Sequence, residues 1–196
     1  MSFDSFNKRK NDILSKEDKS HKGNWDEKIK DLCEKINFLK DYYTTSSCSG
    51  RVVLMVDKDK KAKGMIINSY HDLISFGKLK GDLNEIIKKN NENIKFKMEP
   101  CALHVACRNM ENALGLYNHA KSAGWKKSGI ISMGERFMVE LNSTEKLEFP
   151  VIRKRSLLVD DNFLKIIVSD ANKKLKRSWE RIEKLSGRMK NLYSVK

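Results

Sequence analysis

The chain has 196 residues, 39% hydrophobic and 34% charged, enough for one domain with its own core and too apolar for bulk disorder. Forty Lys and Arg against 26 Asp and Glu leave a net charge of +14; this suits a polyanionic partner such as nucleic acid, because each cation that meets a phosphate releases condensed counterions, although a solvated lysine-rich surface has the same composition. No apolar run approaches the ~18 residues of a membrane span, and Met1-Ser2-Phe3-Asp4-Ser5 has no apolar signal core, so a cytoplasmic protein with no membrane partner is expected.

Residues 1–23 are polar and hold at most a short helix from Phe3 to Leu14. Trp25, Ile29, Leu32, Ile36 and Leu39 then recur at steps of three and four, the stripe of an amphipathic helix. Asn24 suits its N-cap, and the helix is expected to end near Tyr43. Small hydroxyl residues follow, then Val52–Val56, a short apolar run typical of a strand buried on both faces. After a lysine-rich connection, Gly64–Asn68 reads as the returning strand. Residues 72–93 contain a helix around Leu83, Ile86 and Ile87, and two strands follow, Ile94–Met98 and Cys101–Arg108. Asn109 caps a further helix whose apolar side is Met110, Ala113, Leu114, Tyr117 and Ala120, with Gly124 where a C-terminal cap belongs. Ser128–Met133, Arg136–Leu141, Leu147–Ile152 and Ser156–Val159 read as strands. From Asp161 the chain is helical, with Phe163, Ile166, Ile167, Ala171, Leu175, Trp179, Ile182 and Leu185 as the buried stripe and a basic opposite side. One strand–helix–strand unit, Leu103 to Met133, stands among these elements. The expected fold is α+β, a mixed sheet with flanking helices and a long basic C-terminal helix over 161–192, in a single domain spanning 1–196.

Three constellations could carry chemistry. Thr44 to Arg51 offers hydroxyls and backbone N–H groups in little space, a glycine that permits close approach, and a guanidinium that can grip a carboxylate or phosphate; a serine-rich turn after a helix would look the same. In the Cys101–Arg108 strand, alternation puts Cys101, Leu103, Val105 and Cys107 on one face and Ala102, His104, Ala106 and Arg108 on the other. The second face sets an imidazole and a guanidinium on a floor of alanines, fit for a ligand or for a histidine covered by a helix. Ser69-Tyr70-His71, at a strand end, could stack on a base and contact phosphate, or be solvated. The basic C-terminal helix and the lysines of the 57–63 connection complete the electrostatic footprint. Cys33, Cys48, Cys101 and Cys107 include no C-x-x-C pair, so free thiols and no metal are expected. There is no G-x-G-x-x-G and no P-loop, which argues against the common nucleotide-binding fold.

Thr44-Thr45-Ser46-Ser47-Cys48-Ser49-Gly50-Arg51 closely resembles the S/T-x-S-S-C-x-G-R signature of the tRNA wybutosine-synthesizing protein 3 family. Four further blocks follow that family in order: Lys16 to Gly23 with Asp26-Glu27, Glu99 to Arg108 (E-P-x-x-L-H-V-x-C-R), Gly124 to Ile130, and Leu147 to Pro150. The resemblance covers nearly the whole chain. One departure is visible: Tyr70 stands directly before His71, where family members often have Ser or Thr.

The resemblance implies an α+β fold unlike the usual methyltransferase fold. It also implies transfer of a methyl group from S-adenosylmethionine, as cosubstrate, to N4 of a tricyclic wybutosine precursor beside the anticodon of tRNA-Phe, with no obligate protein partner evident. A ring nitrogen gaining a methyl must shed a proton, so a base near neutrality would help; His104 is the first candidate and Asp26 the second. Ser46, Ser47, Cys48, Gly50 and Arg51 are assigned to the cofactor, with Cys48 lining the pocket and forming no covalent bond. Lys22, His71, Arg108, Lys61, Lys63, Arg177 and Arg181 are assigned to tRNA. Two other functions fit the residues: a non-catalytic tRNA-binding module in the same pathway, and an RNA-modifying enzyme with Cys48 as nucleophile.

Overall fold

The computed structural model describes residues 3–15, 26–58 and 64–192. Its class is α+β, with helices α1 (Phe3–Leu14), α2 (Glu27–Phe38), α3 (Phe76–Lys89), α4 (Met110–Ser122) and α5 (Asp161–Leu192). The strands are β1 (Tyr42–Cys48), β2 (Arg51–Val56), β3 (Ile66–Tyr70), β4 (Ile94–Glu99), β5 (Ala102–Cys107), β6 (Gly129–Met133), β7 (Phe137–Asn142), β8 (Leu147–Arg153) and β9 (Ser156–Leu157). They form two sheets of orders β1-β5-β7-β6 and β3-β2-β4-β8-β9, with every pairing antiparallel, where one mixed sheet was expected. The strand–helix–strand unit that suggested a parallel pair is present as β5-α4-β6, but β7 lies between the two strands and pairs antiparallel with both.

The chain divides into two compact units, one of Met1–Ser49, Cys101–Thr144 and Ser178–Lys196, the other of Gly50–Pro100 and Glu145–Arg177. The first unit holds the four-stranded sheet. Ile29, Leu32, Cys33 and Ile36 of α2 are buried at helical spacing, with Leu103, Val105, Cys107, Val139 and Leu141 from one face of the sheet and Ala113, Leu116 and Ala120 from α4. Leu114, expected inside, is exposed, because steps of three and four from Ala113 lead to Leu116 and Ala120. Asn109 caps α4 by accepting a hydrogen bond from the Asn112 N–H at 2.9 Å. Gly124 ends it at φ 95°, in the left-handed region glycine favours, with the Arg181 side chain lying over it. The next residue, Trp125, is fully buried and donates its indole N–H to the Arg181 carbonyl at 3.1 Å.

Helix α2 stops at Phe38 and not near Tyr43. Leu39 is already extended (φ −70°, ψ 131°), and β1 begins at Tyr42. The hydroxyl run is therefore a strand. Asn37 holds the junction, accepting from the Thr44 N–H at 2.7 Å and donating to its hydroxyl at 3.0 Å. Asn24 and Trp25 lie outside the described residues; the cap observed is Asp26, whose carboxylate accepts from the Lys28 N–H.

The second unit holds the five-stranded sheet. Val52, Val53, Leu54, Ile94, Phe96, Met98, Val151 and Ile152 are buried, as are Leu79, Leu83 and Ile86 of α3. The α5 stripe here is Leu164, Ile167, Val168, Ala171 and Leu175. Phe163 and Ile166, expected in it, are exposed, although the Phe163 ring meets Phe149 edge-on at 5.8 Å. The Asn172 amide brackets the Ile74 backbone, accepting from its N–H at 3.0 Å and donating to its carbonyl at 2.8 Å.

Candidate functional site

The signature is divided between the units: Thr44–Ser49 belongs to the first, Gly50 and Arg51 to the second. In the first unit β1 is an edge strand, β5 its neighbour and β7 the next. Ser46 lies opposite His104, and His104 opposite Glu140. Residues directly opposed across an antiparallel sheet project from the same face, so a hydroxyl, an imidazole and a carboxylate form one row. A bulge at Thr45 sets this register, and the Thr45 hydroxyl donates to the His104 carbonyl at 3.4 Å. His104 Nε2 is 3.1 Å from Glu140 Oε1, with both side chains about a third exposed. Hydrogen bonds from His104 and then Asn142 hold the Glu140 carboxyl below its usual range, against a burial effect in the other direction. Glu140 is thus a carboxylate near neutrality and an acceptor only.

The surroundings of the row follow from the alternation of β5. Ala106, one step along the His104 face, is buried with Tyr43 beneath Phe6 of α1. Ala102, one step the other way, lies opposite Cys48 and Asn142. Ser46 and Cys48 share the His104 face, whereas Ser47 lies opposite Leu103 on the core side. The opposite β5 face is packing, as its pattern indicated. Burial pushes the Cys101 thiol up to about 12, and Cys107 is raised by the same cause.

Ser49 is fully buried, and both its N–H and its hydroxyl donate to Asp26 Oδ2. Since Oδ1 of Asp26 accepts from the Lys28 N–H, one carboxylate starts α2 and fixes the end of β1. Arg108, assigned to an external anion, meets Asp41: its Nε donates to that carboxylate, its Nη2 to Asn7 at 2.8 Å and to the Lys40 carbonyl at 3.1 Å, and its guanidinium lies 4.5 Å from the Phe6 ring centre. Arg181 is half-buried beside Gly124.

In the second unit Gly50 has φ 99°, a backbone state that selects glycine. Arg51 Nε donates to Glu99 at 2.8 Å across the β2–β4 pair, and Lys97 holds the other oxygen of Glu99 at 2.8 Å. Burial pushes the Glu99 carboxyl up, but these two cations outweigh it and hold it below its usual range. His71 Nε2 lies 3.3 Å from the Ser69 hydroxyl. Tyr70 points elsewhere, donating its hydroxyl to Asp82 of α3, and burial raises its pKa. Arg177 is exposed, 3.9 Å from Glu145. Lys22, Lys61 and Lys63 lie outside the described residues.

Sequence reasoning missed Glu140, and gave no separate role to Ser49 and Glu99, although both stand in the motif blocks. Glu140 had a local signal, a carboxylate between Val139 and Leu141 in an apolar strand; its pairing with His104 needed the register. Among the described residues no group of three or more His, Cys, Asp or Glu side chains is placed to hold a metal ion. No helix of these residues is long and apolar enough to cross a membrane.

An antiparallel α+β scaffold without a glycine-rich loop, bearing hydroxyl, imidazole and carboxylate groups on an open stretch of sheet, defines an enzyme built apart from the doubly wound nucleotide-binding folds. The chain matches the family model described as Methyltransferase TYW3 over residues 8–191 and belongs to that family. A human protein named tRNA wybutosine-synthesizing protein 3 homolog is 35% identical over 185 residues, covering 91% of this chain and 70% of its own. The tRNA(Phe) 7-((3-amino-3-carboxypropyl)-4-demethylwyosine(37)-N(4))-methyltransferase of Thermococcus sibiricus is 34% identical over 187 residues, covering 94% of this chain and 93% of its own. The solved structure of the PH1069 protein from Pyrococcus horikoshii superposes with a TM-score of 0.86 at 32% identity, covering 97% of this chain and 96% of that one.

Proposed function

We infer that this chain methylates N4 of 7-(3-amino-3-carboxypropyl)-4-demethylwyosine at position 37 of tRNA-Phe, the reaction for which its archaeal relatives are named. The observation that carries this is the family match across 8–191, within which Ser46 and Cys48 of the hydroxyl signature share one sheet face with His104 of the histidine block. When bound, S-adenosylmethionine supplies the methyl group. The donor set suits it: Ser46 and Cys48 on an edge strand would hold its polar groups by side chain and by backbone groups that β5 does not use, and the Glu140 charge favours a cationic ligand nearby.

The chain's own chemistry is the proton. With Glu140 accepting from Nε2–H, neutral His104 keeps its lone pair on Nδ1. The proton that N4 sheds as it gains the methyl group goes to Nδ1, and the carboxylate at Nε2 stabilises the resulting imidazolium. Asp26 acts by positioning, through Ser49, the strand that carries Ser46 and Cys48. Arg51 with Glu99, and His71, belong to the recognition of substrate and cofactor. The test is single-turnover methyl transfer to precursor-bearing tRNA-Phe by wild type and His104→Gln. The variant is expected to bind tRNA normally and to transfer at least about 100-fold more slowly. Equal rates would remove His104 as the proton acceptor.

A further inference from the structure

We propose that the end of the five-stranded sheet carrying the β8–β9 hairpin, opposite the end that carries Arg51 and Glu99, is a contact surface for the phosphate backbone of the tRNA. Arg153 pairs with Ser156, so the hairpin turns on two residues alone, Lys154 and Arg155. Their φ values are 47° and 58°. A two-residue turn of this kind needs φ above zero at both positions, which is why Asn-Gly is its usual sequence. Here a lysine and an arginine occupy that strained backbone, and sparsely populated conformations persist where function gains from them.

Arg155 has a local role. Its Nη2 donates to the Lys88 carbonyl at 3.1 Å and its Nε to Ile87 at 3.4 Å, tying the hairpin to the C-terminal end of α3. Lys154 has none for its side chain among the described residues; only its backbone N–H is held, by the Asn93 side chain at 3.3 Å. Around the tip the same unit gathers Lys88 and Lys89 from the last turn of α3, Arg153, and Lys58. The carboxylates at these cations are Asp57, 3.7 Å from Arg153, Glu85, 3.2 Å from Lys89, and Glu92, 2.6 Å from Lys58. Six cations thus meet three carboxylates, and the excess is concentrated at an exposed tip.

Within this unit Arg51 and Glu99 pair at one end of the sheet and Val56 and Ile94 at the other. Five residue steps at about 3.4 Å separate the ends by roughly 17 Å. A free nucleoside could not span that distance; a tRNA arm could. Cations that touch phosphate position a nucleic acid without reading its sequence. Because the tRNA substrate assigned above supplies the phosphates, the test must separate loss of this contact from loss of that substrate.

The variants are Lys154→Asn and Arg153→Gln, alone and together, with binding of precursor-bearing tRNA-Phe measured from 50 to 200 mM KCl. Asn suits the left-handed turn, so Lys154→Asn is expected to fold at least as stably as wild type. Each lost phosphate contact lowers the slope of log K against log salt by about 0.9 and weakens binding about fivefold at 0.15 M salt. The double variant should bind about 30-fold more weakly with kcat at saturating tRNA unchanged. Wild-type affinity and slope in the double variant would overturn the proposal and leave the methyltransferase reading intact. Failure of the wild type itself to bind the tRNA would overturn both.

Discussion

Replacing Glu140 by Gln removes a charge and leaves an oxygen that can still accept the Nε2 proton of His104. The two effects of Glu140, fixing the tautomer and stabilising the imidazolium, are thereby separated. The hydrogen bond is 3.1 Å long and its side chains are 36% and 38% exposed, so water screens the pair and the charge contributes about 0.2–1 kcal/mol. That is a loss of at most about fivefold in kcat, since 1.4 kcal/mol is tenfold. Glu140→Leu removes the acceptor as well, frees the ring to change tautomer, and should cost more than Gln. His104→Gln removes the base and should cost about 100- to 10,000-fold. The decisive assay is the double variant under single-turnover conditions, because residues that act as a unit are not additive. If Glu140 acts through His104, Glu140→Gln has no further effect on the rate at saturating S-adenosylmethionine once His104 is Gln, and the affinity for tRNA stays constant throughout. A full fivefold loss in that background would refute the coupling and make Glu140 an independent contact.

Gly50→Ala must place a side chain at φ 99°, at about 1–2 kcal/mol, and should lower Tm by about 3–6 °C for a chain of this size. Asp26→Ala removes the α2 cap and the anchor of Ser49; it should cost about 1 kcal/mol by denaturant unfolding and slow methyl transfer, since the strand end it holds loosens. Hydrogen bonds from Lys146 and Lys95 hold the Glu148 carboxyl at about 2. The unfolded chain binds more protons between about pH 4.5 and 2, so this contribution is present above that window and lost as pH falls through it. Denaturant unfolding at pH 6 and pH 3 should differ by about 1–2 kcal/mol more in wild type than in Glu148→Gln, after allowance for screening. Of the four cysteines, Cys33, Cys101 and Cys107 are buried. A native thiol titration with a disulfide reagent should therefore show one fast group, lost in Cys48→Ser.

The parts of the fold that repeat locally were legible in the sequence. The stripe Ile29, Leu32, Ile36 gave α2, Asn109 and Gly124 bracketed α4, and alternation sorted β5 into a packed face and a His104 face. What failed were boundaries and pairings. Leu39 and Tyr43 continue the helical spacing of α2, yet the chain is extended from Leu39, and threonines that read as a turn suit a strand because they are β-branched. The two-sheet division follows from register, and register is set by partners far along the chain. The same distance hid the state of Arg108: its carboxylate partner Asp41 is 67 residues away and Asn7 is 101. An arginine in an ordered motif invites an external anion until the fold supplies an internal one. Glu140 was visible as a charge in an apolar strand, but only β5–β7 pairing makes it the partner of His104.

The most direct measurement is the mass of the position-37 nucleoside of tRNA-Phe from cells lacking N4 methylation, after incubation with the purified chain and S-adenosylmethionine. The expected result is a single added methyl on 7-(3-amino-3-carboxypropyl)-4-demethylwyosine, formed at least about 100-fold more slowly when His104 is Gln. An unchanged nucleoside, with the precursor confirmed in the sample and the protein bound to the tRNA, would contradict the methyltransferase assignment and leave a protein that binds this tRNA without modifying it.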